Sequence, residues 1–267
     1  MIRQLLKNAY MAVIFIFLYA PVAVLIVFSF NKAKSRSVWG GFTLEWYRKL
    51  LQNDDILKAL QITLVVALIS ALVATVVATV TCLGLNAMRR RLRNTILSVT
   101  YIPNVSPDLV TGISLMLLFY FIHLKTGFMT LLLAHIAFNI PYAILSISPK
   151  LRQLDRNLYE AALDLGCRPR QAIVKVILPE IMPGIITSLI LTFTLSIDDF
   201  VISYFTAGNQ ISTLAIMIYS MARKSVNPQI NALSALLFIA VLILLLLVNY
   251  RSSRDLKLKS NHGGQSS

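Results

Sequence analysis

The chain has 267 residues, of which 57% are hydrophobic and 13% charged, with a formal net charge of +14 and a mean hydropathy of +0.73. That balance excludes a soluble domain and indicates a polytopic membrane protein. In a soluble chain the positive excess would point to nucleic acid, but here the basic residues fall in short loops between apolar runs, where they set topology, and no nucleic-acid partner is expected.

A spanning helix needs about 20 predominantly apolar residues. Six stretches qualify, at 10–30, 62–86, 97–122, 127–149, 181–205 and 231–250, which predicts an all-α polytopic membrane protein with six transmembrane helices in a single domain, 1–267. Arg3 and Lys7 ahead of the first stretch imitate a secretory signal. However, the uncharged run from Asn8 to Asn31 is long enough to span and no convincing cleavage site follows it, so the helix is read as retained. The loop that follows, 31–61, carries Trp39, Gly40, Gly41, Phe42, Thr43, Leu44, Glu45, Trp46 and Tyr47. Aromatic residues beside a span usually anchor it at the interface, the reading expected for at least one of the tryptophans. A seventh apolar run, Ile211 to Met221, is too short to cross and reads as an external or re-entrant helix. Residues 251–267 are basic, then rich in Gly and Ser, and read as a disordered tail. Cys82 and Cys167 lie in different contexts and read as packing residues, with neither a disulfide framework nor a metal site. His123, His135 and His262 have no ligand or triad partners nearby in sequence; His135 reads as a packed or hydrogen-bonded helix residue.

With the N-terminus in the cytoplasm, the basic residues Arg3 and Lys7, Arg89 to Arg93, Lys150 to Lys175 and Arg251 to Lys259 fall inside, most of the 25 Lys and Arg of the chain. An even span count puts the C-terminus inside as well.

Three of the 11 acidic residues interrupt apolar spans: Asp108, Asp198 and Asp199. A carboxylate at the bilayer centre costs about 2.5–3.5 kcal/mol on insertion scales, so all three are expected to face protein or water. Asp108 follows Pro103-Asn104-Val105-Ser106-Pro107, where two prolines bend or break the helix, and broken helices at membrane depth commonly line cavities. A capping role for Asp108 is compatible with that. Asp198 and Asp199, adjacent on a helix, point about 100° apart, so one can face a cavity while the other bonds to a neighbouring helix. Thr192, Thr194 and Ser196 polarise the same stretch and suggest a wet face. No span carries a Lys or Arg to neutralise these acids, which makes a cationic solute the natural counter-charge. Tyr101, Tyr120, Tyr142, Phe193 and Tyr204 are candidate aromatic walls for it.

The loop 150–180 is the most charged of the chain. Leu151, Leu154, Leu158, Ala162 and Leu165 recur at helical spacing and predict one face of a short amphipathic helix. Gly166 suits the left-handed residue that closes it, and Pro169 cannot continue it. Glu160-Ala161-Ala162, three residues, Gly166, nine residues, then Val176-Ile177-Leu178-Pro179 resembles the EAA loop of the permease subunits of bacterial ABC importers, with Val176 where Ile is usual. The resemblance implies a coupling helix that docks on a cytoplasmic ATPase, with Glu160, Ala161, Ala162, Asp164, Gly166, Leu178 and Pro179 in that role.

Further matches extend over nearly the whole chain. Gly41 to Tyr47, Ser106-Pro107-Asp108, Leu191 to Asp199 and Asn227 to Leu233 resemble the spermidine/putrescine (PotC-type) permease family, while Arg89 to Arg93 depart from it. The resemblance implies a type I ABC importer permease fold, a multi-pass protein of the bacterial cytoplasmic membrane, and polyamine import by alternating access. The solute pathway would involve Asp108, Asp198, Asp199, Tyr101, Phe193 and Tyr204. It also implies two copies of an ATPase, a second homologous permease chain and an external substrate-binding protein, all in membrane lipid. The chain has no Gly-x-x-x-x-Gly-Lys-Ser/Thr, so ATP and Mg are expected on the ATPase, with no cofactor on this chain and no enzymatic activity of its own. An ABC permease for another solute remains an alternative, as does a proton-coupled secondary transporter. An intramembrane aspartyl protease is disfavoured because neither Asp108 nor Asp199 sits in a Gly-x-Gly-Asp setting.

Overall fold

A computed structural model describes residues 2–33, 38–155, 157–224, 228–243 and 246. Arg156, Asn227, His262, the expected tail at 251–267 and the end of the sixth expected span lie outside the described residues. The chain forms two compact units, Met1–Leu60 with Ile216–Ile243, and Gln61–Ala215 with Leu244–Ser267.

In the first unit, α1 (Ile2–Ser29) is exposed at every position from 7 to 21. A helix that is hydrophobic all round requires an apolar surrounding. The chain then folds around Asn31, which is 1% exposed. Its Nδ2 donates to the Val38 carbonyl at 2.8 Å, its Oδ1 accepts from Gly40 N at 2.7 Å, and its own carbonyl accepts from Trp46 Nε1 at 2.7 Å. Gly40 is required by space, since a Cβ there would lie 2.8 Å from Ala33 Cβ and 2.9 Å from Ala33 N. Trp46, at the start of α2 (Glu45–Leu51), is therefore a buried core residue of this loop; of the two tryptophans, only Trp39 is exposed.

The second unit is built on α3 (Asp54–Ala87), α4 (Arg90–Val105), α5 (Asp108–Phe121) and α6 (Phe128–Arg152). They are followed by α7 (Asn157–Asp164) and by α8 (Pro169–Ala172), which runs through a π-helical turn, Ile173–Ile177, into α9 (Leu178–Asp198). α10 (Val201–Thr206) and the start of α11 (Leu214–Lys224) complete it. α3 buries Ala67, Ser70, Ala71, Ala74, Thr75 and Ala78, while Leu64, Leu68, Leu72, Val76 and Val80 are exposed. Small residues inward and large ones outward let helix backbones approach closely where the surroundings are lipid. α6 packs along α9, and at Gly184 a Cβ would lie 2.8 Å from Lys150 Cγ, so a side chain there would displace the Lys150 stem. Ala78, Cys82, Leu97, Ile144, Ile147, Ile177 and Ile181 join α3, α4, α6 and α9 in one core, and Phe119, Ala134, Phe138 and Ile202 form another.

Among the described residues four helical stretches are long and apolar enough to cross a membrane: Lys7–Ser29, Asp54–Ala87, Phe128–Arg152 and Pro169–Asp198. α4 and α5 make a fifth if taken together, bent by 105° at the break that the two prolines of the expected span 97–122 signal. The cause is local: Pro107 has no N–H and pushes Ser106 into an extended conformation, ψ 139°. A shorter apolar helix, α12 (Pro228–Ile243), occupies the described part of the sixth. The expected span 181–205 is likewise interrupted, α9 ending at Asp198 before α10 begins. The seventh apolar run forms α11 from Leu214, whose N–H donates to Thr63 Oγ1 at 2.8 Å.

Candidate functional site

Asp108 is the first residue of α5, exposed and in the turn where a negative charge is favoured by the free N–H groups. The residue ahead of the helix is Pro107, whose ring offers no side-chain cap. Tyr142 on α6 lies within electrostatic range of it and packs on Phe138 at 5.0 Å. In the same break, both amide atoms of Asn104 are shielded from solvent without a hydrogen-bond partner.

Asp198 and Asp199 do diverge, by a helix end and not by helical phase. Asp198 is the last residue of α9 and is exposed, whereas Asp199 turns extended with ψ 122°. Its carboxylate accepts from Ser203 N at 2.8 Å and Ile202 N at 3.3 Å, capping α10, and lies 3.6 Å from His135 Nε2. Of the aromatic candidates, Tyr101 and Tyr204 are exposed and Phe193 half-buried. Tyr204 packs on Phe200 and Phe205 at 5.4 and 5.5 Å.

Sequence reading missed a buried polar seam beneath this surface. Asn139 Nδ2 donates to Ser196 Oγ at 2.8 Å and to Ser70 Oγ at 3.2 Å, and Thr75 meets Ser188 at 3.3 Å. Toward the other end of α6, His135 Nε2 meets Ser203 Oγ at 3.0 Å, and Thr130 Oγ1 donates to the Thr206 carbonyl at 2.8 Å. Thr192 and Ser196, expected to mark a wet face, are buried in this seam, and only Thr194 is half-buried. The signal that could have found it is the recurrence of Ser188, Thr192 and Ser196 at four-residue intervals along one helix face.

In the loop 150–180 the expected continuous face from Leu151 to Leu165 is corrected. α6 ends at Arg152, α7 starts at Asn157, Leu151 belongs to the core of the former, and Leu165 is 87% exposed. Glu160, Ala161 and Asp164 present an exposed surface on α7, while Ala162 is buried within the chain. Gly166 has φ +86°, Cys167 N donates to the Ala162 carbonyl and Gly166 N to that of Leu163, the paired bonds of a Schellman closure. Pro169 opens α8, helped by Gln171 Oε1 accepting from Arg168 N at 3.0 Å. Leu178 N bonds back five residues to Ile173 O, and this widened turn accommodates Pro179, which has no N–H and would crowd the carbonyl four residues back in a regular helix. Leu178 packs on the core; Pro179 is exposed.

Comparison with known proteins bears on this arrangement. Residues 76–254 match the family described as binding-protein-dependent transport system inner membrane component. The chain is 37% identical to the spermidine/putrescine transport system permease protein PotC of Escherichia coli (strain K12), over 98% of this chain and 99% of that one. It is 39% identical to the putrescine transport system permease protein PotI of the same strain, over 85% of this chain and 83% of that one. Among solved structures it is similar to a bacterial ABC transporter involved in the import of the acidic polysaccharide alginate, with TM-score 0.68, 18% identity, and 94% and 96% of the two chains covered. The alginate transporter in complex with an alginate pentasaccharide-bound periplasmic protein gives TM-score 0.72, 16% identity, and 94% and 95% coverage. At such identities the likeness speaks for the fold alone, that of a type I ABC importer permease. With the family matched over most of its length and a curated relative alike from end to end, the chain belongs to the family of inner-membrane permease components of binding-protein-dependent transport systems.

Proposed function

We propose that this chain is the permease subunit of an ATP-driven importer of polyamines, spermidine or putrescine, into the bacterial cytoplasm. The observation that carries the reading is its end-to-end likeness to a spermidine/putrescine permease. Two exposed carboxylates, Asp108 and Asp198, add support, because their spans hold no Lys or Arg to neutralise them. Asp199 is committed to the α10 N–H groups and His135, so the pathway acids are Asp108 and Asp198, with Tyr101, Phe193 and Tyr204 as walls for the methylene segments and ammonium groups of the solute. Both termini and the Glu160 loop face the cytoplasm. There, two ATPase copies bind ATP and Mg and push on α7 through Glu160, Ala161 and Asp164. Gly166 sets the exit from α7, and Leu178 and Pro179 tie the loop to α9, so that a push on α7 reaches the helix bearing Asp198. A second, homologous permease chain completes the pathway, an external binding protein delivers the solute, and this chain neither hydrolyses ATP nor holds a cofactor.

The test is uptake into vesicles containing this chain, its ATPase and its second permease chain, supplied with the binding protein and labelled spermidine, putrescine, a neutral sugar or an anion. ATP-dependent uptake of a polyamine alone is expected. Uptake of another solute would overturn the polyamine assignment and leave an ABC permease for that solute.

A further inference from the structure

Beside α7 lies a cavity of about 960 Å³, whose lining combines Arg90, Arg93 and Arg152 with aliphatic side chains of α3, α6 and the π-helical turn. Nothing in the coupling role of α7 requires three guanidinium groups there. Arg93 Nε is shut off from solvent and has no hydrogen-bond partner. α4 begins at Arg90 with no side-chain cap, and its first bond back is Arg93 N to Arg89 O, so the N–H groups ahead of it are free at this end. Asp155 and Glu160 share the cavity wall. Yet the ion pairs within 4.0 Å among the described residues are Lys49–Glu45 and His135–Asp199, so the charges of the cavity are held apart and not cancelled.

We propose that this cavity is a binding site for a phosphate ester, and specifically for the phosphodiester group of a membrane lipid. Guanidinium forks match phosphate oxygens bidentately, and a helix N-terminus adds donors of the same polarity. Basic pockets between spans on the cytoplasmic side are suited to lipid head groups. The volume exceeds what a free phosphate fills, and a lining that joins guanidinium groups to aliphatic side chains suits an amphiphile. The two carboxylates favour a singly charged diester with a hydroxyl- or ammonium-bearing head over a multiply charged free phosphate. Because Glu160 borders the cavity, an occupant would lie directly against α7. The site does not depend on which solute is carried.

The complex of the full chain with its ATPase and second permease chain is placed in nanodiscs of phosphatidylglycerol or of phosphatidylcholine, and the lipid retained after extraction is measured by native mass spectrometry. Retained phosphatidylglycerol is expected, with the Arg90→Gln/Arg93→Gln double variant losing it by about ten-fold or more and Arg91→Gln, on the same helix but outside the cavity lining, keeping it. If the double variant does not assemble, Arg152→Gln on α6 gives the same reading. Displacement by millimolar glycerol 3-phosphate would support the phosphate-ester site with a soluble ester as its source; no displacement supports the lipid. Equal retention in the double variant and Arg91→Gln, or equal loss in both, would overturn the proposal.

Discussion

Two neighbouring aspartates show how far identical side chains can differ in role. Asp199 receives two backbone N–H groups and sits beside His135, while Asp198 is left exposed. Asp199→Asn weakens an acceptor that serves as a helix cap and is expected to cost about 1–2 kcal/mol in thermal or denaturant unfolding. Asp198→Asn is expected to stay within about 0.5 kcal/mol of the parent in stability and to reduce polyamine uptake; indistinguishable behaviour of the two variants would contradict the assignment. In the first unit, Gly40→Ala drives a Cβ into Ala33 and is expected to cost about 1–3 kcal/mol, read as faster limited proteolysis of the 31–44 loop. The acids were legible in the sequence because charge in an apolar run is conspicuous. Asn31, Asn139 and the partnership of His135 with Asp199 were not, since each depends on residues brought together only by folding. Which of the two tryptophans is buried was hidden for the same reason, the N–H of Trp46 being satisfied by a carbonyl 15 residues away.

At the level of elements, the loop 150–180 was readable to the extent that backbone rules govern it. A glycine that must be left-handed and a proline that must start or distort a helix announce themselves in any context, and Gly166, Pro169 and Pro179 each do so. What local rules do not give is the gap between α6 and α7, or the size of the α4–α5 bend, which two prolines signal without specifying 105°. No side chain would crowd anything at Gly166, so the cost of substitution there is conformational alone. Gly166→Ala is expected to lose about 1–2 kcal/mol locally and Gly166→Asn much less. In vesicles, Gly166→Ala should lower uptake per ATP hydrolysed, with Asn restoring most of it; unchanged coupling in the Ala variant would remove α7 from the coupling role.

For the whole molecule, six apolar stretches gave the right class and two prolines the break in 97–122, but the interruption of 181–205 after Asp198 was not legible, because hydropathy says nothing of how helices break inside. The second unit is held by an alanine face and by a seam of hydroxyls and one amide joining α3, α6 and α9. Hydrogen bonds between helices in lipid average about 0.6 kcal/mol, so Ser70→Ala or Ser196→Ala should each lower stability by that order. Ala74→Leu, which forces α3 away from its neighbours, should cost several times more; thermal unfolding of the assembled complex compares them.

From α8 through α9 the buried positions run Ala172, Ile177, Ile181, Gly184, Ser188, Thr192, Ser196. Every step is three or four residues except the first, which is five. The π-helical turn is thus a phase shift of one residue, written into the chain ahead of Pro179, and it makes a genetic prediction. Deleting Val174, which is 59% exposed, would re-phase the helix to a plain four-residue step and leave Pro179 without room. The deletion alone should impair assembly, and the deletion combined with Pro179→Ala should recover it, two changes that compensate because one residue of helical register accommodates one missing N–H.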